Sequence, residues 1–415
     1  MTALPEKRDA FASVRIREYR RLLTGRFLFI MGLRMITTIV GWWIYELTND
    51  PFAIGLIGLS EVIPAVSLAL YAGHVIDVSE KKKLLLIGVT LYFIAALLFF
   101  CLSSSLTKGY LSNHTISIFI YAIIFCTGII RSFVGPVFHT FIASIVPRNI
   151  LPNAITWNQG TWLSASVTGH ATAGLSIAFM GISGALGIVI CLMIVSFAVM
   201  SGLQRRPALN LSSEKKTWDS VKEGISFVLK TREVLGALTL DLFAVLFGGA
   251  VAMVPVFARD ILRIGPKGFG FLNGASDLGS ICIVILLTVF PLARKQGKKL
   301  FFAIFGFGSC IILFALSRWF WLSFSALLVA GMLDGVSVVI RGTILQLKTP
   351  DHMRGRVMSV NSMFINSSNE LGQFESGVAA KLMGVVPSVV FGGCMTILVV
   401  VTTWLRAPSL RKMEY

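Results

Sequence analysis

Gly73-His-Val-Ile-Asp77-Val-Ser-Glu80-Lys81-Lys82-Lys83 is a short turn ending in three lysines, wedged between two long apolar runs. Those runs, near 52–75 and 84–107, are each long enough to cross about 30 Å of hydrocarbon as an α-helix. Working outward, ten more runs of the same kind lie near 22–47, 115–146, 155–180, 182–203, 234–258, 269–290, 300–316, 320–346, 357–382 and 386–406. Charged residues make up 14% of the 415, against about 25% in a soluble domain, and hydrophobic residues make up 55%. The pattern predicts an all-α integral membrane protein of twelve transmembrane helices.

The net charge of +17 raises the question of nucleic acid, and the placement of the charge answers it. With the N-terminus in the cytoplasm, 27 of the 37 Lys and Arg fall in cytoplasmic loops and tails, five in the opposite loops and five within spans. That asymmetry follows the positive-inside rule, so both termini are expected in the cytoplasm, next to anionic lipid. No nucleic-acid role is implied. The six cysteines all lie in apolar runs without ligand spacing, and they read as small buried residues with no disulfide framework or metal site. No cofactor is expected.

The runs group six and six around 204–233, the longest polar stretch. Residues 1–21 and 407–415 read as cytoplasmic tails, and 22–203 and 234–406 as two six-helix halves. Within the linker, Trp218, Val221, Ile225 and Val228 recur at helical spacing, which predicts an amphipathic surface helix; a disordered linker is the alternative. The halves echo each other faintly. Pro147-Arg-Asn-Ile-Leu-Pro after the fourth run answers Pro350-Asp-His-Met-Arg-Gly after the tenth, and Lys81-Lys82-Lys83-Leu84 answers Gly297-Lys-Lys-Leu300. Two pseudo-symmetric halves imply a site at their interface, near the middle of the membrane.

Charge inside a span is costly and functional by default. Glu61 lies mid-way along the second run, Arg131 in the fourth, Asp277 in the eighth, Asp334 and Arg341 in the tenth and Glu370 in the eleventh. A carboxyl held in a span that takes up and releases a proton is what a proton-driven carrier needs, so Glu61, Asp277 and Glu370 are coupling candidates. Permanent pairing with Arg34, Arg131 or Arg341 is the alternative. Ser362, Asn366, Glu370 and Gln373 form one helical stripe, and Trp157, Thr161, Ser164, Thr168 and Thr172 form another. Two such stripes predict a polar cavity lined by Arg34, Trp157, Thr161, His170, Asp334, Arg341, Asn366 and Gln373; interhelical hydrogen bonding also accounts for part of the pattern. His170 reads either as a neutral bundle residue or as a proton or substrate contact. No phosphate loop, H-E-x-x-H or G-x-S-x-G motif is present, which excludes an ATP-driven machine or a familiar hydrolase.

The opening turn resembles the G-x-L-A-D-R-x-G-R-K signature of the major facilitator superfamily. Gly73, Asp77, Lys81 and Lys82 match it, while Val78 and Glu80 depart from it. Arg131-Ser-Phe-Val-Gly135 is similar to the family's R-x-x-Q-G, with Val134 in place of Gln. Gly169-His170-Ala-Thr-Ala-Gly174 keeps two glycines of the exporters' G-P-x-x-G-G. Pro350-Asp-His-Met-Arg354-Gly-Arg356-Val-Met and Asn49-Asp-Pro51-Phe-Ala-Ile-Gly55 resemble the bacterial branch around the enterobactin exporter. The resemblance implies a secondary transporter of the cytoplasmic membrane, acting as a monomer and exporting a small amphiphilic, siderophore- or drug-like molecule by proton antiport. It assigns a conformational latch to Gly73, Asp77, Lys81, Lys82, Arg354 and Arg356, and a part in proton coupling to Arg131. An uptake symporter, a lipid flippase and a non-transporting receptor or scaffold are the alternatives.

Overall fold

The computed structural model of the chain describes residues 9–205, 217–290, 295–350 and 353–414. Every regular element among them is helical. Helix α1 (Arg17–Thr48) stops at Asn49, whose φ of 49° ends the helix in the left-handed region. Two residues later α2 (Pro51–Val78) begins, with Pro51 at its first position and the Asp50 carboxylate accepting from the Phe52 N–H. Helix α3 (Lys81–Ser103) follows, then the short α4 (Ser105–Tyr110) and α5 (Asn113–Ile145), whose Ser104 and Ser112 hydroxyls cap them.

Helix α6 (Leu151–Ser201) runs for 51 residues and bends at Gly181, where φ is 69° and ψ −177°. Only glycine adopts that conformation without strain, so a single residue turns the chain between the two apolar runs on either side. The C-terminal part comprises α7 (Thr217–Lys230), α8 (Arg232–Phe247), α9 (Val254–Val256), α10 (Gly265–Val289) and α11 (Gln296–Leu316). It continues with α12 (Phe320–Lys348), α13 (Arg354–Met383), α14 (Val385–Arg406) and α15 (Pro408–Arg411).

Ten helical stretches among the described residues are long and apolar enough to cross a membrane. Helix α13 is not one of them: its 30 residues include Arg354, Arg356, Glu370, Glu375 and Lys381, so it is long enough to cross but too polar to count. The helices pack α1 on α6, α2 on α5, α11 on α12 and on α14, and α10 on α12. Contact between the N-terminal helices α1–α6 and the C-terminal helices α8–α14 is concentrated in two seams, α2 on α13 and α6 on α10.

The two ends of the described chain, near Ser13 and Met413, lie at one end of the bundle, the terminus-bearing end. There Asn153 accepts from the Ser13 N–H at 3.1 Å, Lys82 Nζ donates to the Leu203 carbonyl at 2.6 Å, and the Gly297 N–H donates to the Met413 carbonyl at 3.1 Å. At the far end most joints are short: residues 49–50, Gly181, 262–264, 317–319 and Gly384; the exception is 104–112, which contains α4 and lies beside Gly181 through the Ser103–Ser183 hydroxyl contact at 2.9 Å.

Large rings such as Trp43, Phe99, Phe138, Phe257 and Phe314 fill the interior. Many apolar side chains point outward instead, among them Phe302 at 68% and Ile285 at 61% exposure, the coat a bundle needs against hydrocarbon. The same inversion corrects one expectation. Cys101, Cys126, Cys191, Cys282 and Cys394 are exposed on that coat and Cys310 is half-buried, so the cysteines are mostly lipid-facing surface residues rather than buried ones.

Candidate functional site

The α2–α13 seam carries an ion cluster. One guanidinium nitrogen of Arg131, on α5, lies 2.5 Å from Glu61 Oε1 on α2 and 2.6 Å from Glu370 Oε1 on α13. Glycines allow this convergence. A Cβ on Gly58 would meet the Glu370 carbonyl at 2.5 Å, and one on Gly128 the Glu61 carbonyl at 2.6 Å. Both helices therefore press against α2 where its acid sits, and Pro64, three residues on, interrupts the α2 hydrogen-bond ladder. Gln373 Nε2 donates to the Ile54 carbonyl at 3.3 Å, one turn further out along the seam. Two carboxylates share one cation, so with both ionised the cluster would carry a net charge of −1, and uptake of one proton would make it neutral.

The α6–α10 seam holds a second polar chain. Ser166 on α6 donates to Asp277 on α10. His170 Nε2, one turn along α6, lies 3.6 Å from the same carboxylate oxygen, and His170 Nδ1 is 2.6 Å from Thr38 Oγ1 on α1. Asp334 lies on α12, the helix packed against α10, which carries Asp277. Here too backbones touch: a Cβ on Gly331 of α12 would meet the Ser276 carbonyl of α10 at 1.9 Å. Arg34 is half-buried on α1, with its guanidinium over the Trp162 ring at 4.7 Å. A Cβ on Gly169 of α6 would meet the Arg34 Cβ at 2.8 Å, so Arg34 sits beside the turn that carries His170.

Other candidates fall elsewhere. Trp157, expected along the cavity, donates from Nε1 to the Ala10 carbonyl at 2.8 Å and rests on the Phe11 ring, fastening the N-terminal segment to α6. Thr161 satisfies its hydroxyl on the Trp157 carbonyl at 2.8 Å. Arg341, also expected along the cavity, is instead 4% exposed and ion-paired with Asp241 of α8, away from both seams. Of the residues expected to form a latch, Lys81 is buried, Lys82 bonds Leu203, and Arg356 pairs with Glu223 of α7. Gly73 and the side chains of Asp77, Arg354 and Asn366 are outside what the structure describes.

Asp241 is the acid that sequence reasoning missed, although its signal was there: a carboxylate inside the 234–258 run. Removing one partner of a buried pair is far worse than removing both. Arg341→Met alone is expected to destabilise the protein by about 3–5 kcal/mol, and Arg341→Met with Asp241→Leu to come close to the parent. Thermal melts of the purified variants in detergent measure both.

The far end is closed by further contacts between N- and C-terminal helices. Tyr45 donates to Asp260, Arg259 donates to the Tyr45 carbonyl at 3.2 Å, and Lys381 pairs with Asp50 at 3.3 Å over the Phe52 ring. Gly55 meets Gly377 and Gly174 meets Gly270 backbone to backbone: a Cβ on Gly377 would lie 2.7 Å from the Gly55 Cα, and one on Gly174 2.7 Å from the Gly270 Cα. Among the described residues no ion pair joins the two helix sets at the terminus-bearing end.

The ion cluster in one seam and the polar chain in the other lie inside a multi-pass helical bundle, and the class of the chain is the major facilitator superfamily of transporters. The chain belongs to the transmembrane secretion effector family of that superfamily, whose model it matches over residues 8–415. It is 22% identical over 370 residues to the uncharacterized MFS-type transporter YfmI of Bacillus subtilis, covering 86% of this chain and 88% of that one. It is 23% identical over 400 residues to the enterobactin exporter EntS of Shigella flexneri, covering 95% and 93%. Among solved structures, a D-xylose-proton symporter aligns with a TM-score of 0.74 at 14% identity over 96% of this chain and 99% of that one. The nucleoside transporter NupG aligns with a TM-score of 0.70 at 14% identity over 96% and 100%. These likenesses establish the fold; the family is one of transporters and not of enzymes.

Proposed function

We propose that the protein is a secondary active transporter that exports a small amphiphilic molecule across the cytoplasmic membrane in exchange for protons. The observation that carries this reading is Arg131 held between Glu61 of α2 and Glu370 of α13. That cluster joins the two helix sets through one shared cation, so its protonation state sets how strongly they are tied. Twelve spans in two six-helix halves follow if α6 is divided at Gly181 and α13 crosses despite its polarity. The halves then rock about the seams. The far-end contacts describe a state closed on one face, with the terminus-bearing, cytoplasmic face as the open one. Resemblance to exporters such as EntS supports the outward direction.

The latch residues Gly73, Asp77, Lys81, Lys82, Arg354 and Arg356 would hold the cytoplasmic face in the opposite state. Asp277, with His170 and Ser166, is the second proton-coupling candidate.

Collapse of a pH gradient in proteoliposomes, with a panel of siderophores and lipophilic cations, tests the proposal. One compound class is expected to drive proton movement, and Glu61→Gln and Asp277→Asn to reduce it at least tenfold. Substrate flux with no proton movement would remove the coupling. Flux in inverted against right-side-out vesicles fixes the direction.

A further inference from the structure

We propose that the groove between the start of α3 and the segment after α6 is a binding site for an anionic phospholipid. The groove encloses about 560 Å³ and is lined by Glu80, Lys82, Lys83, Leu86, Ile87, Thr90, Leu91 and Arg205. Its two ends differ in chemistry. Lys82, Lys83 and Arg205 set three cations against the single carboxylate of Glu80 at the terminus-bearing end. Away from that rim the wall turns apolar and continues as an exposed stripe on α3: Ile87, Leu91, Ile94 and Leu98, each 40–48% exposed and spaced four, three and four residues apart.

A cationic mouth opening onto an apolar track of one helix face fits a phosphate diester joined to acyl chains. A soluble anion would use the mouth alone, and a zwitterionic lipid would gain little from the net charge. The mouth is also built rather than loose. Lys82 Nζ donates to the Leu203 carbonyl at 2.6 Å, which fixes the segment leading to Arg205 beside α3 and leaves two more ammonium donors. From the other side, Arg21 donates to the Gly202 carbonyl, and the Gln204 N–H bonds Glu18 at 3.2 Å. Lys83, the exposed cation at the head of the apolar track, makes no ion pair among the described residues. A bound lipid would therefore brace α3 against the end of α6, next to the turn that carries Lys81 and Lys82.

The test is native mass spectrometry of the full chain in detergent, titrated with phosphatidylglycerol, phosphatidylcholine and glycerol 3-phosphate. Phosphatidylglycerol is expected to be retained in preference to phosphatidylcholine and not to be displaced by glycerol 3-phosphate. Lys83→Ala should weaken phosphatidylglycerol about fivefold, and Lys83→Ala with Arg205→Ala about 30-fold, with phosphatidylcholine unchanged. The single substitution provides the reading should the double variant fail to fold. Equal retention of the two lipids, or undiminished phosphatidylglycerol on the variants, overturns the site. Glycerol 3-phosphate binding as tightly as phosphatidylglycerol would assign the mouth to a soluble phosphate ester and remove the lipid.

Discussion

Arg131→Gln is expected to lower proton-coupled transport at least 100-fold and to destabilise the protein by about 3 kcal/mol, the lower end for loss of one partner of a buried pair. The lower end applies because Arg131 keeps 40% of its side-chain surface open. The substitution leaves the Glu61 and Glu370 carboxylates facing each other across the α2–α13 seam without the cation between them. The folded state then has to bind a proton to relieve the repulsion, so the variant should recover stability as pH falls, the reverse of an ordinary acid-sensitive protein. Placing Arg131→Gln in a Glu61→Gln, Glu370→Gln background removes both charges and should remove most of the stability loss without restoring transport. Melting curves between pH 5 and 8, with the transport assay, separate the two effects. If Arg131→Gln transports normally, the cluster is a structural brace and proton coupling lies elsewhere.

Gly174→Val is expected to push the far end open. Its added Cβ would lie 2.6 Å from the Pro266 carbonyl and 2.7 Å from the Gly270 Cα, and a backbone does not turn aside as a flexible side chain does. Overpacking of this kind costs about 1–3 kcal/mol in the contact it disrupts. On the proposed rocking mechanism that cost falls only on the state in which α6 touches α10 at this end, so the balance shifts by about 5–150-fold toward the other state. Gly377→Val should act alike on the α2–α13 seam, where its Cβ would meet Gly55. Spin labels at Glu46 and Leu382, with the native cysteines replaced, report the distance across the far end. A distribution that lengthens in both variants supports the scheme. An unchanged distribution in a folded variant would falsify it.

The membrane fold was legible because hydrocarbon imposes one requirement on every span, and the runs of apolar residues meet it wherever they occur. Gly181 shows the limit. It separates two runs that the sequence kept apart, yet nothing local announces that one residue suffices for the turn. Glu61, Arg131 and Glu370 were each recognisable as charges in apolar surroundings. Their meeting was not, because the close approach of α13 to α2 depends on Gly58 and that of α5 to α2 on Gly128, and a glycine in an apolar run looks the same whether it touches a neighbour or lipid. Arg341 failed for the complementary reason. Its place in the tenth run marked it as a charge within a span, but its partner came from α8, a helix no spacing rule connects to it. Trp157 lay on a stripe with the right period, and the N-terminal segment claimed it first. Helical periodicity reports which residues share a face and is silent on what that face meets.

The short joints at the far end have a practical consequence. A protease must bind several residues of its target in an extended form, and an antibody needs a raised patch of surface. Residues 49–50, Gly181 and Gly384 offer neither, and the joints at 262–264 and 317–319 are only three residues long. The joint at 104–112 is the exception, with α4 inside it and Tyr110 90% exposed. If that end faces outward, digestion or serum applied to intact cells would meet the protein chiefly at that one joint, and an epitope inserted after Tyr110 would be the practical handle for seeing it from outside.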